Sequence, residues 1–152
     1  TGPNPRKLVA TATGLAVQDA AGNPVSLEAS NSGRVDRQLL NLPIAPSGTV
    51  EVRGWAAFGC TLTQARVYNT TTNTQGTYTL SLTNNATGQP MLNPANFNMN
   101  TLPPDTVTAL TLTVDSANLA FSTDDRWTLS LASDNAGLDA SGVYVSLLFE
   151  AI

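Results

Sequence analysis

Trp127-Thr128-Leu129-Ser130-Leu131 carries the reading that decides the fold class. Apolar side chains stand at 127, 129 and 131, and hydroxyl side chains at 128 and 130. A strand sends successive side chains to opposite faces, so a period of two describes a half-buried β-strand. The same pattern recurs elsewhere. Tyr78, Leu80 and Leu82 alternate with Thr79 and Ser81. Leu110, Leu112 and Val114 alternate with Thr111 and Thr113. Val50 and Val52 alternate with Thr49, Glu51 and Arg53. Helical periodicity does not recur. Thr is β-branched and suits the wet face of a pleated sheet.

Turn chemistry separates these runs. Breaks fall at Ala21-Gly22-Asn23-Pro24, Ser30-Asn31-Ser32-Gly33, Ala45-Pro46-Ser47-Gly48 and Asn69 to Gly76. Others fall at Asn84 to Pro94, Leu102-Pro103-Pro104-Asp105, Thr123-Asp124-Asp125 and Ser133 to Ser141. What remains is roughly eight to ten short strands and no helix, which predicts an all-β chain: an antiparallel two-sheet sandwich of jelly-roll or Greek-key type. The last segment, Gly142 to Ile152, is apolar on both parities: Val143, Val145, Leu147 and Phe149 on one, Tyr144 and Leu148 on the other. That pattern predicts a central strand or one facing a partner subunit. Tyr78 to Leu82, followed by Asn85-Ala86, faintly echoes Trp127 to Leu131, followed by Asn135-Ala136. Pseudo-symmetry and chance in a Thr/Ser/Leu-rich chain both account for this.

The length of 152 residues fits one domain with its own core. The first seven residues read as an extended arm, because they hold two Pro, a Gly and the adjacent basic pair Arg6-Lys7. The expected organisation is an arm at 1–7 and a single sandwich domain at 8–152. Thr1 to Pro5 lacks the charged region and apolar run of a signal peptide, and no stretch approaches the length of a membrane-spanning helix.

Composition removes several functions. With no His there is no Ser-His-Asp triad and no His-ligated metal. With one Cys there is no internal disulfide and no CxxC motif. A net charge of −4 and a single Lys disfavour phosphate contacts, so no nucleic-acid partner is expected. Asp124-Asp125, with Asp134 or Asp139, could reach a Ca²⁺ ion, but the spacing lacks the regularity of a dedicated loop. A solvated turn is the simpler reading, and no metal or other cofactor is expected. Nothing pairs those carboxylates for glycoside hydrolysis. The sequence therefore predicts a non-enzyme. Cys60 reads as a small buried hydrophobe. The sequons at Asn69 and Asn85 matter only in a eukaryotic secretory route. Trp127 is in phase with Leu129 and Leu131 and is assigned to the core. Trp55 is out of phase with Val50 and Val52, so it faces solvent or a partner unless a bend at Gly54 returns it inward.

The stretch from Leu119-Ala120-Phe121-Ser122-Thr123-Asp124-Asp125-Arg126 through Trp127 to Leu131, then Asp134-Asn135-Ala136-Gly137 and Gly142 to Phe149, resembles the last hairpin of small β-sandwich decoration (cement) proteins of tailed-bacteriophage heads. It is also similar to the closing strands of trimeric jelly rolls. The resemblance covers the last third of the chain. It implies a structural protein of the virion's outer capsid surface, a homotrimer that binds the major capsid protein; without a membrane-length apolar stretch, no membrane partner is expected. The expected docking arm is Arg6, Lys7, Leu8 and Val9. The expected self-association residues are Trp55, Tyr144 and Leu148, each opposite its strand's core side chains. The competing expectation is a carbohydrate- or receptor-binding module of a phage fibre or bacterial surface protein, marked by an exposed aromatic platform or a loop near Asp124.

Overall fold

The computed structural model describes residues 7–11, 14–18, 21, 24–25, 33–43, 48–71, 74–134 and 142–152, with the backbone alone in the strands before residue 26. The chain forms two compact units, Thr1–Ser30 and Asn31–Ile152. In the first, β1 (Lys7–Thr11), β2 (Gly14–Gln18) and β3 (Pro24–Val25) make an antiparallel sheet in that order.

The second unit is a two-sheet sandwich. Its long strands are β4 (Val35–Leu42), β5 (Gly48–Trp55), β6 (Cys60–Tyr68), β7 (Tyr78–Asn84), β12 (Arg126–Ser133) and β13 (Val143–Ala151). The short strands β8 (Gln89–Pro90), β9 (Phe97–Asn98), β10 (Thr108–Leu110) and β11 (Ala120–Phe121) and two 3₁₀ turns complete it. One sheet runs β10-β6-β13-β4, with β11 also on β6. The other runs β5-β12-β7-β8, with β9 also on β7. All pairings between these strands are antiparallel. The all-β, two-sheet reading therefore holds.

The links β4–β5, β5–β6, β6–β7 and β12–β13 each pass from one sheet to the other. The closing strands are thus not the hairpin that the sequence suggested. β12 pairs with β5 and β7, and β13 pairs with β4 and β6. Each of the two strands has an apolar face that needs a cover, and facing one another across the core buries both. The echoed segments prove to be neighbours, with Leu82 opposite Leu129 and Leu80 opposite Leu131.

Alternation decides what faces inward. Tyr78, Leu80 and Leu82 are buried, as are Trp127, Leu129, Leu131, Val143, Val145, Leu147 and Phe149. Phe149 packs edge-on against Phe121 and stacks with Trp127, at centroid separations of 5.6 and 6.5 Å. Such aromatic contacts add to plain area burial. The Trp127 ring occupies the space where Gly54 has no side chain, and a Cβ there would collide with it. Cys60 is buried in this core, and burial, with Asp36 and Asp125 nearby, pushes its thiol up to about 11.

Two strands depart from simple alternation. The run at Leu110 to Val114 is not one strand: β10 ends at Leu110, Leu112 makes a single bridge to Leu92, and Val114 is exposed. In β6, Leu62 and Ala65 are both buried although three residues apart. A bulge explains this, since Phe149 pairs with Leu62 and Leu148 with Gln64, leaving Thr63 unpaired.

Buried polar groups shape the closing turns. Asn84 donates from Nδ2 to the carbonyls of Asn118 and Ala120 at 3.1 and 3.0 Å, and its Oδ1 accepts from the Ala86 amide at 2.9 Å. It ties the end of β7 to the segment entering β11. The Tyr78 hydroxyl and Trp127 Nε1 are buried without hydrogen-bond partners among the described residues, and burial pushes the Tyr78 hydroxyl up to about 12.

Candidate functional site

The two sheets turn very different faces outward. In the β5-β12-β7 sheet, Thr49, Glu51, Arg53 and Trp55 lie opposite Ala132, Ser130, Thr128 and Arg126, and β7 adds Thr79, Ser81 and Thr83. Apart from Trp55 this is a short, hydroxyl-rich surface. Its ion pair, Arg53 to Glu51 at 2.8 Å, is solvent-exposed and contributes little to stability.

The β6-β13-β4 sheet carries large apolar side chains outside as well as inside. Register places Tyr144 between Asn41 and Tyr68, Ser146 between Leu39 and Arg66, and Leu148 between Arg37 and Gln64. Val35 lies opposite Glu150 at the far end. Among the described residues, four of the seven exposed large apolar side chains gather here: Val35, Leu39, Val107 and Tyr144, with Leu39 73% exposed. Tyr68 and Tyr144 meet at a centroid distance of 6.0 Å, and the Tyr68 hydroxyl donates to Asp105 Oδ1 at 2.9 Å. That hydrogen bond raises the Tyr68 pKa. Leu39, Val107, Arg37, Arg66 and the two tyrosines line a hollow of about 190 Å³. Arg37 and Arg66 form no ion pair among the described residues. An apolar patch rimmed by polar groups is the surface pattern of association sites.

The residues singled out from the sequence fall in three places. Tyr144 and Leu148 share this apolar face. Trp55 is 63% exposed on the other sheet, so no bend at Gly54 carries it inward. Lys7, Leu8 and Val9 belong to β1, paired with Gln18, Val17 and Ala16, while Arg6 lies outside the described residues.

Sequence reasoning missed Leu39, Val35, Arg37, Arg66 and Val107. The signal in β4 is ambiguous, because Val35, Arg37, Leu39 and Asn41 alternate with Asp36, Gln38, Leu40 and Leu42. Both parities mix apolar and polar residues. Pairing with β13 turns the second set inward, where Gln38 Nε2 donates to Asp36 Oδ2 at 2.8 Å.

Asp125 Oδ2 accepts from the Ser122 amide at 2.7 Å, and Asp134 Oδ1 accepts from the Thr77 amide at 2.6 Å. Both carboxylates are thus engaged in turns, and the bonds from Thr77 hold the Asp134 pKa down. Asp139 lies outside the described residues. Among the described residues no group of three His, Cys, Asp or Glu converges.

No family model matches the chain, and no curated protein matches it. A chain of the "Cyanophage Pam1 capsid asymmetric unit" is similar over 88% of this chain and 96% of its own length, with 13% identity and a TM-score of 0.44.

Proposed function

We propose that the chain is a structural viral protein that associates with a bacteriophage capsid, decorating and stabilising the outer shell as a trimer. The observation that carries the reading is the outward face of β4, β13 and β6, where Leu39, Tyr144, Leu148 and Val107 sit beside Arg37 and Arg66. Each exposed apolar side chain lowers solubility without adding to the core, so a cluster of them points to a covered surface. The phage shell as the partner rests on the resemblance of the closing strands to head decoration proteins.

Self-association is assigned to Tyr144 and Leu148 together with Leu39. Trp55, on the other sheet, is left out of that interface. Shell contact is assigned to the N-terminal segment with Arg6, Lys7, Leu8 and Val9. In the order β1-β2-β3, β1 has one edge unpaired among the described residues, and an open edge can accept a neighbour's strand. A trimer makes its second and third attachments effectively intramolecular, so modest single contacts hold firmly. Binding the assembled shell and not its parts stabilises that shell by mass action.

Sedimentation equilibrium at micromolar concentration is expected to give three times the chain mass, and the protein should co-sediment with purified heads of its virus. Deleting residues 1–7 is expected to abolish co-sedimentation while leaving the trimer intact. A monomer that does not bind heads would end the proposal. Undiminished head binding by the deletion variant would remove the arm from it.

A further inference from the structure

We propose that Trp55, Asp124 and Arg126 form a subsite for one neutral hexopyranose ring of a glycan. Trp55 ends β5 with its indole 63% exposed, opposite Arg126 across the β5–β12 pair. The two residues, with Arg53, Gly54 and Asp124, line a hollow of about 510 Å³. Ligand sites commonly occupy about 300–1,000 Å³. The position is rigidly built. Beyond Trp55 the strand pairing continues, with the Ala56 amide donating to the Asp125 carbonyl and the Asp124 amide to the Ala56 carbonyl, both at 2.8 Å. The turn is closed by the Asp125 carboxylate on the Ser122 amide, and it sets Asp124 at φ 70°, a left-handed conformation that Asp tolerates.

The chemistry on offer is specific. Among the described residues the Asp124 carboxylate and the Arg126 guanidinium make no hydrogen bond or ion pair, whereas Arg53 is engaged by Glu51. Among the described residues the cation–π contact is Arg34 over Phe58, so the Trp55 ring face is not covered by Arg126. A pyranose ring has an apolar C–H face that stacks on an indole and an equatorial rim of hydroxyls. A carboxylate accepts two vicinal O–H groups, and a guanidinium fork donates to two oxygens. One group of each charge, on a chain of net charge −4, fits a neutral polyol better than a phosphate, a sulfate or a uronate.

Two Trp residues make the test direct, because Trp127 is 1% exposed and Trp55 carries the solvent-sensitive emission. The full chain is titrated with glucose, galactose, mannose, N-acetylglucosamine and their short oligomers, with glucuronate and a sulfated hexose as anionic probes. At least one neutral saccharide is expected to give a saturable emission change with Kd about 1 mM or tighter. Trp55→Ala should abolish binding of that saccharide by calorimetry, and Asp124→Asn and Arg126→Ala should each weaken it about tenfold. Glu150→Gln, on the other sheet, should leave it unchanged. Absence of saturable binding to every neutral saccharide overturns the proposal. So does tighter binding of the anionic sugars, or retained affinity in Asp124→Asn and Arg126→Ala together. None of these outcomes bears on trimer formation or head binding, which are assigned to other surfaces.

Discussion

On the β5-β12-β7 sheet the outward side chains are largely Thr and Ser, and on the β6-β13-β4 sheet they include Leu39, Tyr68, Tyr144 and Leu148. Inward, the two sheets are alike: Leu80, Leu129 and Leu131 from one meet Val145, Leu147 and Phe149 from the other. The core therefore explains the inner half of both patterns and neither outer half. Hydroxyl side chains on a strand's outer face keep the β preference of a branched side chain while staying wetted. Leu and Tyr in the same place expose apolar area to water, and only an association recovers it. The difference is the ground for proposing the β6-β13-β4 face, and not the hydroxyl-rich one, as the surface for self-association.

The largest effect is expected where both faces share one support. Gly54→Val drives a side chain into the Trp127 ring and should cost about 3 kcal/mol in urea unfolding, with the ordering of both sheets lost together. A variant that unfolds normally would mean that Trp127 is not the keystone between the sheets. Asn84→Ala leaves the Asn118 and Ala120 carbonyls and the Ala86 amide without their buried partner, at about 2 kcal/mol.

A smaller effect separates the faces themselves. Leu39→Asp or Leu148→Asp should weaken self-association at least about tenfold, or about 1.4 kcal/mol, in sedimentation. Thr49→Asp on the opposite face should leave it unchanged, and the substitutions at the exposed positions 39 and 49 should alter monomer stability by about 0.5 kcal/mol or less. Equal responses from both faces would erase the comparison.

A separate effect concerns pH. Burial pushes the Tyr78 hydroxyl from its ordinary 10.0 up to about 12, so above pH 10 the unfolded state loses its proton first. The native state then binds more protons, and stability falls as pH rises from about 10 to 12. Cys60 adds a parallel loss between 9.0 and about 11. Tyr78→Phe also removes a buried hydroxyl that has no partner among the described residues. It should leave stability at pH 7 nearly unchanged and flatten the alkaline fall, as read from melting temperatures at pH 8 and 11. A fall as steep as that of the parent chain would show that Tyr78 is not its source.

How far the site could be read beforehand follows from these same residues. Tyr144 and Leu148 were legible because β13 is apolar on both parities, which a one-sided sheet does not require. Trp55 was legible as out of phase, though its fate hung on Gly54. Leu39 was not legible, since β4 mixes Leu with Asp, Arg and Gln on both parities and only its partner strand picks the inner one. Arg37 and Arg66 gain meaning only as near neighbours on one face, though they are 29 positions apart in the chain.

Alternation of apolar and hydroxyl residues was enough to determine that this chain is all β, where most strands lie and which side of β7, β12 and β13 is buried. That information is local, because the pleat repeats every two residues and needs no partner to be read. Three things were decided only in three dimensions: that β12 and β13 face each other across the core instead of pairing, that a bulge at Thr63 keeps Leu62 and Ala65 both inside, and that Leu39 joins Tyr144 on an outer face. Each depends on which distant strands pair and in what register, a choice made by the joint burial of several strands and written in no single one of them.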